Sequence, residues 1–532
     1  MIPINDLNLG HNDAENYKRP NEMKLFNQLF LETDALNKLC DDSIYYLIGE
    51  KGSGKTAYAV YFSNNSFNGY SGKLTFLRQT PIDKFVTLKQ KNQLDFSNYN
   101  DIWEVIIYFL ISQQIIDKEG NNFISRFIKF KNLQESMNEF FKNALRPEIL
   151  LGMTIIENSE ISSELSAKHA QIGANLKAGK SEISESKNYR YQLNLSNIKR
   201  QFEDALRSIS LTKHYVLFLD GIDTRPPTLT IEDYIKCIQG LANASWAVNN
   251  DFFATLENEK GSLKVVLLVR PDIFDKFGLQ NQNNKLRDNS VILNWETPHL
   301  EYRSSNIFKI ADNLLKSQQI EKLSIGESWD YYFPFTYIYP RKTGNKQIHF
   351  PSFVGFLNHS LARPRDIIAM LKLMKDIHVR KNRGNIFSGE DFIDAEFQRK
   401  LSEYYLSEIK DQLGFYYSEN DYKIFLKFFD FLRGKIYFNY LEFSLAFGEL
   451  IEYIYDNGDK MPLFCADHDK FLQFLYELNV IGFNEKRGGK TFWHWCYRHR
   501  TYATLFPQVN THSEYLIHEG MRKVINIGKQ ID

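Results

Sequence analysis

The feature that most constrains this chain is a phosphate-binding loop that directly follows an apolar run. Residues 44–48 read Ile-Tyr-Tyr-Leu-Ile and continue into Gly-Glu-Lys-Gly-Ser-Gly-Lys-Thr at 49–56, the complete pattern G-x-x-x-x-G-K-[ST]. A helix-compatible run at 57–62 follows. This order of strand, loop and helix presents backbone N–H groups and a helix N-terminus to phosphate groups. The sequence therefore predicts a nucleotide site, and a chance glycine-rich turn is the weaker alternative.

The positions of this loop have separate expected roles. The Lys55 ammonium can reach the β- and γ-phosphates, and the Thr56 hydroxyl can hold Mg²⁺. No guanine-reading motif is evident, because the pair Asn284-Lys285 lacks the Asp that such a motif needs. We therefore expect ATP and Mg²⁺ as cofactors. The residues expected to bind the nucleotide are Gly49, Glu50, Lys51, Gly52, Ser53, Gly54, Lys55, Thr56 and Ala57.

A second apolar run, residues 214–219, ends in the carboxylate Asp220 and is followed by Gly-Ile-Asp. In P-loop ATPases an Asp at such a strand end binds Mg²⁺, directly or through water. Asp220 is therefore the predicted metal ligand together with Thr56. Asp223 is the candidate for orienting the attacking water. For Asp223 the segment Asp-Thr-Arg-Pro-Pro leaves ordinary turn chemistry open as the alternative.

Composition limits the class of protein. A chain of 532 residues predicts about three domains, and 43% hydrophobic with 15% aromatic residues favours packed cores over disorder. Lys+Arg and Asp+Glu both number 65, which disfavours a globally basic nucleic-acid binder but leaves a local basic patch open. The polar N-terminus and the lack of an apolar run of about 18 residues predict a soluble, cytoplasmic protein without a membrane span. Neither a zinc site nor a disulfide framework is indicated by the scattered cysteines Cys40, Cys237, Cys465 and Cys496.

Further apolar runs at 73–78, 263–269 and 290–293 alternate with helical patterns. This alternation predicts an α/β P-loop NTPase core, a parallel sheet with flanking helices, followed by a helical domain and a C-terminal winged-helix-like domain. Alternating residues at 172–178 and 189–195 favour a two-stranded ribbon, with an exposed loop as the alternative. The expected domains are a helical lead-in at 1–40, an ATPase domain at 41–298 with a hairpin-like insertion at 159–196, a helical lid at 299–415 and the winged-helix-like domain at 416–532.

Arginines at two places in the sequence are candidates for sensing the nucleotide. Arg270 follows the strand candidate at 263–269, and ligands sit at the carboxyl ends of parallel strands. A guanidinium there could contact the γ-phosphate, and an exposed strand-end arginine is the alternative. Arg365 lies in Arg-Pro-Arg-Asp at 363–366, which is typical of a helix start. Either Arg363 or Arg365 could reach back to the nucleotide and couple domain motion to hydrolysis, and Arg365 could instead pair with a local acid.

The C-terminal region predicts aromatic-rich helices at 420–478 and then a hairpin. The hairpin turn and its flank carry Lys486, Arg487 and Lys490, which could contact DNA phosphates. Use of the hairpin for protein packing is the favoured alternative. His494 and His499 do not indicate a metal site, because no second pair of ligands stands at metal-site spacing.

With these motifs placed, the chain resembles the STAND/NACHT-like branch of P-loop ATPases and, more closely, the bacterial ATPases of the FunZ type. The resemblance implies that Asp220 serves Mg²⁺, that Asp223 supports catalysis and that Arg270 senses phosphate. It also implies a bacterial setting in phage defence or on a mobile island. NACHT-like members commonly carry Glu directly after the second Asp, and Thr224 at that position disfavours fast turnover. The resemblance rests on the motifs at 49–56, 219–223, 267–274, 363–366 and 518–523.

Three functions follow as hypotheses. The first is an ATP-dependent molecular switch in defence or stress signalling, which acts through homo-oligomer assembly or a partner effector protein. The second is a DNA loader or remodeller that grips duplex DNA with its C-terminal hairpin. The third is a nucleotide-binding scaffold with negligible turnover, which the residue Thr224 motivates.

Overall fold

The structure is a computed structural model that describes residues 1–77, 99–119, 130–143, 185–225, 229–257, 261–339, 348–488, 490–502 and 504–525. The chain forms two compact units. The sheet unit consists of Asp34–Glu50 and Lys55–Leu293, and the helical unit consists of Met1–Thr33, Lys51–Gly54 and Asn294–Asp532.

The described residues form both strands and α-helices. The strands are β1 Tyr46–Ile48, β2 Tyr70–Phe76, β3 His214–Asp220, β4 Leu263–Val269, β5 Ser290–Ile292, β6 Thr336–Tyr339, β7 Ile348–Pro351, β8 Tyr437–Asn439, β9 Ile481–Arg487, β10 Lys490–His494 and β11 Glu514–Ile517. The helices of the N-terminal half are α1 Pro20–Leu29, α2 Asp34–Lys38, α3 Lys55–Asn64, α4 Tyr99–Glu119, α5 Lys131–Asn143, α6 Glu185–Arg207, α7 Ile231–Ala247, α8 Pro271–Asp275 and α9 Gln282–Asp288. The helices of the C-terminal half are α10 Asn306–Lys316, α11 Glu327–Tyr332, α12 Ser352–His359, α13 Pro364–Arg380, α14 Gly389–Ile393, α15 Ala395–Leu413, α16 Glu419–Phe431, α17 Tyr440–Asp456, α18 His468–Glu477 and α19 Cys496–His499.

The sheet unit is built on five parallel strands in the order β2-β3-β4-β1-β5. Every residue of β1 and β4 is buried, as the continuous apolar runs of a sheet covered on both faces require. Helices α3, α4 and α7 contact the strands. The predicted α/β core, a parallel sheet with flanking helices, is confirmed.

The strand order brings three sequence-predicted positions to the same edge of the sheet. The strands β3, β4 and β1 are neighbours, and their carboxyl ends lead into Asp220, Arg270 and Gly49. The Gly49 N–H donates to the Val269 carbonyl at 3.1 Å, which ties the start of the loop to the end of β4. Parallel strands end at one edge, so residues far apart in sequence become neighbours there.

The second half of the predicted ribbon is wrong. Residues 189–195, expected as a strand, lie within the helix α6, while 172–178 fall outside the described residues. Farther along α6, buried side chains recur at helical spacing, namely Ile198, Phe202, Ala205 and Leu206. This stripe faces α4 and α5, and burying it requires a helical backbone. The two-residue alternation seen upstream was too short to decide between the two periods.

The helical unit buries a large aromatic core. The predicted helices between 420 and 478 are confirmed as α16, α17 and α18, and the rings of Phe428 and Phe471 meet edge to face with centroids 4.8 Å apart. The same core cluster takes Trp329 and Phe353 from the preceding helical region. A four-stranded antiparallel sheet in the order β10-β9-β11-β8 completes the unit, and its β9–β10 pair is the predicted hairpin.

Within the part of the chain that the structure describes, no helix combines the length and hydropathy needed to cross a bilayer. The same residues contain no group of three or more His, Cys, Asp or Glu side chains arranged to hold a metal ion.

The close packing of α3 on β2 leads to a prediction about Gly72. A Cβ at Gly72 would lie 2.7 Å from the backbone carbon of Phe62 in α3. We expect Gly72→Ala to lower the free energy of unfolding by about 1–3 kcal/mol because the backbone must shift. Gly448→Ala in α17 is the matched control, since nothing lies within 4 Å of the added carbon there. The control should be neutral or stabilising by about 0.5–1 kcal/mol. Equal effects in a denaturant titration would contradict the prediction.

Candidate functional site

The phosphate-binding loop runs from the end of β1 at Ile48 to the start of α3 at Lys55. Two of its glycines adopt left-handed backbone conformations, with φ of +85° at Gly52 and +98° at Gly54. Side chains disfavour these angles, so the glycines of the motif are needed for the path of the loop. The third glycine, Gly49, is fixed by its hydrogen bond to β4.

Lys55 is buried at the first position of α3. Its Nζ donates to the carbonyl oxygens of Gly49 at 2.9 Å and of Glu50 at 3.2 Å. The ammonium is thus held against the loop's own backbone. This position next to the first turn of a helix suits an anionic ligand, because both the cation and the helix N-terminus favour negative charge.

The two predicted metal ligands are brought together. The Thr56 hydroxyl donates to Oδ2 of Asp220 at 2.7 Å, although the residues are 164 positions apart. The other carboxylate oxygen, Oδ1, accepts from the Gly221 N–H at 2.7 Å. A hydroxyl and a carboxylate are hard oxygen donors of the kind that Mg²⁺ takes alongside phosphates and water. The donor set therefore fits Mg²⁺.

The electrostatics of Asp220 are unusual for a carboxylate. Burial, at 7% exposure, is the main cause that raises the pKa of Asp220 to about 6, and the Asp223 carboxylate adds to the rise. Thr56, Lys55 and the Gly221 N–H act in the opposite direction. A nearby cation would favour the ionised form. Asp223 itself is half-buried, while Thr224 is exposed.

Gly221 shows why a glycine directly follows Asp220 at the end of β3. Its φ is +89°, and a Cβ there would lie 2.9 Å from the carbonyl oxygen of Leu77. Both the backbone conformation and the close approach exclude a side chain. The turn after Asp220 is therefore fixed by packing against the residue that follows β2.

Arg270 is placed at the predicted strand end but is bound to a local carboxylate. Its side chain is 2% exposed, its Nε donates to Oδ1 of Asp272 at 2.9 Å, and its Nη2 bonds the other carboxylate oxygen. The proposed exposed-arginine alternative is thus wrong, because the side chain is buried. Phosphate sensing by Arg270 remains a prediction, and in this conformation Asp272 occupies one edge of the guanidinium.

Arg365 contacts the loop through its main chain. In the helical unit its N–H donates to the Gly52 carbonyl at 3.3 Å. Its guanidinium lies beside Glu408, with Nη1 at 3.5 Å from the carboxylate, and its Nε donates to the Asn12 carbonyl at 3.2 Å. The pairing with a local acid, left open by the sequence, is therefore present. Nucleotide binding by the Arg365 side chain stays a prediction.

Lys51 and Ser53 differ in how their side chains are used. Within the helical unit the Lys51 ammonium pairs with Asp411 at 2.6 Å and lies 3.7 Å from Glu408. The Ser53 hydroxyl is buried and has no hydrogen-bond partner among the described residues. An orphaned hydroxyl of this kind is costly unless a ligand or water bonds it.

Two side chains bind main-chain carbonyls of the loop, and the sequence predicted neither of these hydrogen bonds. Arg363 donates from Nη1 to the Lys51 carbonyl at 2.8 Å, and Trp295 donates from Nε1 to the Ser53 carbonyl at 2.9 Å. Both contacts lie within the helical unit. Their acceptors are main-chain atoms, which leave no signal in the side-chain pattern. The only sequence signal for Arg363 was the Arg-Pro-Arg-Asp motif at 363–366, which does not specify a carbonyl acceptor.

The assembled site holds an ammonium, a hydroxyl and a carboxylate at the carboxyl edge of a parallel sheet, beside a glycine-rich loop. Such a set can bind a phosphate chain and a divalent cation. No protein-family model and no curated protein matches this chain. The assignment of chemistry therefore depends on these side chains and their geometry.

The raised pKa of Asp220 predicts a pH dependence of stability. The folded value of about 6 exceeds the ordinary 3.8, so the folded state binds the proton more tightly. The stability that this contributes is complete below about pH 4 and is lost as pH rises through 6. Relative to Asp220→Asn, the free energy of unfolding of the wild type should fall by about 2–3 kcal/mol between pH 4 and pH 7.

Denaturant unfolding in metal-free buffer containing a chelator would measure this difference across pH. Asp376→Asn, at an exposed position on α13, controls for the removal of one charge. If the difference in free energy of unfolding between wild type and Asp220→Asn stays constant from pH 4 to pH 7, the pKa of Asp220 is not raised in the folded protein.

Proposed function

We propose that this protein is a Mg²⁺-dependent ATP-binding and ATP-hydrolysing molecular switch. The observation that carries the proposal is the hydrogen bond between Thr56 and Asp220 beside the buried Lys55. It joins two motifs that were predicted separately to serve the same metal. A chance glycine-rich turn would give no reason for a strand-end carboxylate to meet the residue that follows its lysine.

The roles of the side chains follow from their chemistry. Loop N–H groups and the Lys55 ammonium bind the β- and γ-phosphates, while Thr56 and Asp220 hold Mg²⁺. The metal, when bound, neutralises charge on the phosphate oxygens. Asp223, whose carboxylate contributes to the raised pKa of Asp220, is the residue that we propose to orient the attacking water. Arg270 stabilises charge on the transferred group only if its ion pair with Asp272 opens.

The fold supports the class of P-loop NTPases. Ligands of open parallel sheets bind beyond the carboxyl ends of the strands, and the loop, Asp220 and Arg270 all lie at those ends. The resemblance to the STAND/NACHT-like branch, and to FunZ-type ATPases in particular, suggests bacterial anti-phage defence or stress signalling as the setting. The output then comes from a homo-oligomer or from an effector protein.

The C-terminal elements support a winged-helix-like arm. The order α16, β8, α17, α18, β9 and β10 is helix, strand, two helices and a hairpin, which is the element order of winged helices. In the sheet, β11 lies between β8 and the β9–β10 hairpin, so the element order alone supports this class. We propose that this arm transmits the nucleotide state to a partner.

ATP binding and hydrolysis should depend on Lys55 and Asp220. We expect Lys55→Ala and Asp220→Ala to lower the rate of Mg²⁺-dependent ATP hydrolysis by about 100-fold or more, because each removes charge from the phosphate or metal site. Lys400→Ala on α15 controls for loss of a lysine, and chelation of Mg²⁺ should abolish turnover in the wild type. Phosphate release with saturating ATP measures the rates.

Two results would change the proposal. Equal hydrolysis by wild type and Lys55→Ala would remove it. Equal single-turnover rates for wild type and Asp223→Ala, with ATP still bound, would favour the scaffold with negligible turnover, which Thr224 motivates.

A DNA-binding ATPase is the alternative function, and one observation favours it. Lys486 and Arg487 are both exposed at the end of β9, next to the hairpin turn. Against it, Arg487 lies 3.3 Å from the Glu485 carboxylate, which partly neutralises the patch. The side chain of Lys490 lies outside the described residues.

A salt titration of duplex DNA binding separates the two functions. For a switch that does not bind DNA, the change of all three residues Lys486, Arg487 and Lys490 to Ala should leave any weak binding and its salt dependence unaltered. A wild-type affinity that falls steeply with salt, with a slope reduced by about one per removed phosphate contact in the variant, would favour the DNA loader or remodeller.

A further inference from the structure

Three consecutive carbonyl groups of the phosphate-binding loop accept hydrogen bonds from one set of donors in the helical unit. The Lys51 carbonyl accepts from Arg363 Nη1 at 2.8 Å, and the Ser53 carbonyl accepts from Trp295 Nε1 at 2.9 Å. Between them, the Gly52 carbonyl accepts from the Arg365 N–H at 3.3 Å. We call these three donors the loop clamp.

The loop clamp determines where three amide hydrogens point. In a trans peptide the C=O of one residue and the N–H of the next point in opposite directions, and the described residues contain no cis peptide bond. Holding the carbonyls of Lys51, Gly52 and Ser53 therefore turns the N–H groups of Gly52, Ser53 and Gly54 away from the clamp. Successive N–H groups of a glycine-rich loop are the groups that bind phosphate oxygens.

The Arg363 side chain is itself fixed. Asp366, fully buried, accepts from Arg363 Nε at 2.9 Å and from Nη2 at 2.6 Å. The carboxylate also accepts from the Tyr404 hydroxyl and the Leu361 N–H. Burial alone would lower the pKa of Arg363, but Asp366 raises it above the usual range, so the guanidinium stays charged. Asp366 thus holds one edge of the Arg363 guanidinium, and Nη1 on the other side bonds the loop.

We propose that Arg363 and Trp295 are positioning residues that preorganise the phosphate-binding loop for the phosphate chain of ATP. The proposal rests on the proposed function, because it assigns a role toward the same ligand. Neither side chain contacts the phosphates in this role. Each holds a carbonyl so that the following N–H is already oriented, which spares the ligand the cost of ordering the loop.

The sharpest test is Trp295→Phe, because it removes the indole N–H and keeps an aromatic ring. Loss of one neutral hydrogen bond to the loop should weaken Mg·ATP binding about 2- to 10-fold. Trp329→Phe is the matched control, since Trp329 also donates from Nε1, to the Ser352 hydroxyl at 3.0 Å, in the core of the helical unit. The control should leave Mg·ATP affinity unchanged.

Arg363→Lys is the second variant. Lysine retains the charge beside Asp366 but cannot bond the carboxylate and the Lys51 carbonyl through one rigid fork. We expect Mg·ATP binding to weaken about 10-fold or more, with a thermal midpoint within a few degrees of the wild type. A variant that loses much stability would be set aside in favour of Trp295→Phe, which keeps the proposal testable.

Calorimetric titration of the full chain with Mg·ATP and with inorganic tripolyphosphate distinguishes the outcomes. Trp295→Phe should weaken both ligands by the same factor, because the clamp acts on the loop that holds phosphates and not on the base. If Trp295→Phe binds Mg·ATP and tripolyphosphate as tightly as the wild type does, the role of the loop clamp is overturned, whereas the proposed function is not. Equal weakening in Trp295→Phe and Trp329→Phe would also overturn it, because the effect would then be a general loss of stability. No binding of Mg·ATP by the wild type would instead overturn the proposed function, and the clamp with it.

Discussion

The hydrogen bond between the Thr56 hydroxyl and the Asp220 carboxylate depends on how the sheet is ordered. The strands that carry the two motifs are not adjacent, since β4 lies between β1 and β3. At about 4.8 Å per strand, the two strand ends are roughly 10 Å apart. The helix α3 bridges that gap because it begins directly after the loop, and Gly72 lets it approach β2 closely. The contact between Thr56 and Asp220 therefore depends on this strand order and on the packing of α3.

Local patterns predicted much of the sheet unit because its strands are buried on both faces. The strand candidates at 214–220 and 263–269 match β3 and β4 residue for residue, since a fully buried parallel strand is a largely apolar run. Lys264 is the charged exception in β4, and its ammonium donates to the Asp41 carbonyl at 2.8 Å. Asp220 could be assigned for the same reason, because it ends such a run, whereas Thr56 was assigned from the loop motif at 49–56. The strand expected at 189–195 failed because alternation over a few residues carries little weight against the longer helical stripe of α6.

The clamp residues could not be predicted from side-chain patterns. Trp295 and Arg363 act on carbonyl oxygens 242 and 312 positions away, and every residue offers the same carbonyl. Which carbonyl meets which donor is decided by tertiary packing alone. The ion pair of Arg270, in contrast, is formed within the local sequence. An arginine at a buried strand end needs a counter-charge, and Asp272 two residues later supplies it at the start of α8, where an acid is also favoured by the helix N-terminus.

The phosphate-binding loop is held by two kinds of contact. Its ends are fixed by hydrogen bonds of the sheet unit, from Gly49 to β4 and from Lys55 back to Gly49, whereas its middle, Lys51–Gly54, is held by donors of the helical unit. If phosphate binding is favoured by one orientation of the middle peptides, then any change that moves Arg363 alters the affinity for the nucleotide. By linkage the reverse also holds, and a bound phosphate chain stabilises the position of Arg363 by the same free energy. Asp366 and Tyr404 fix Arg363 to α13 and α15, so under the proposed function this reciprocity links nucleotide binding at the loop to the position of those helices.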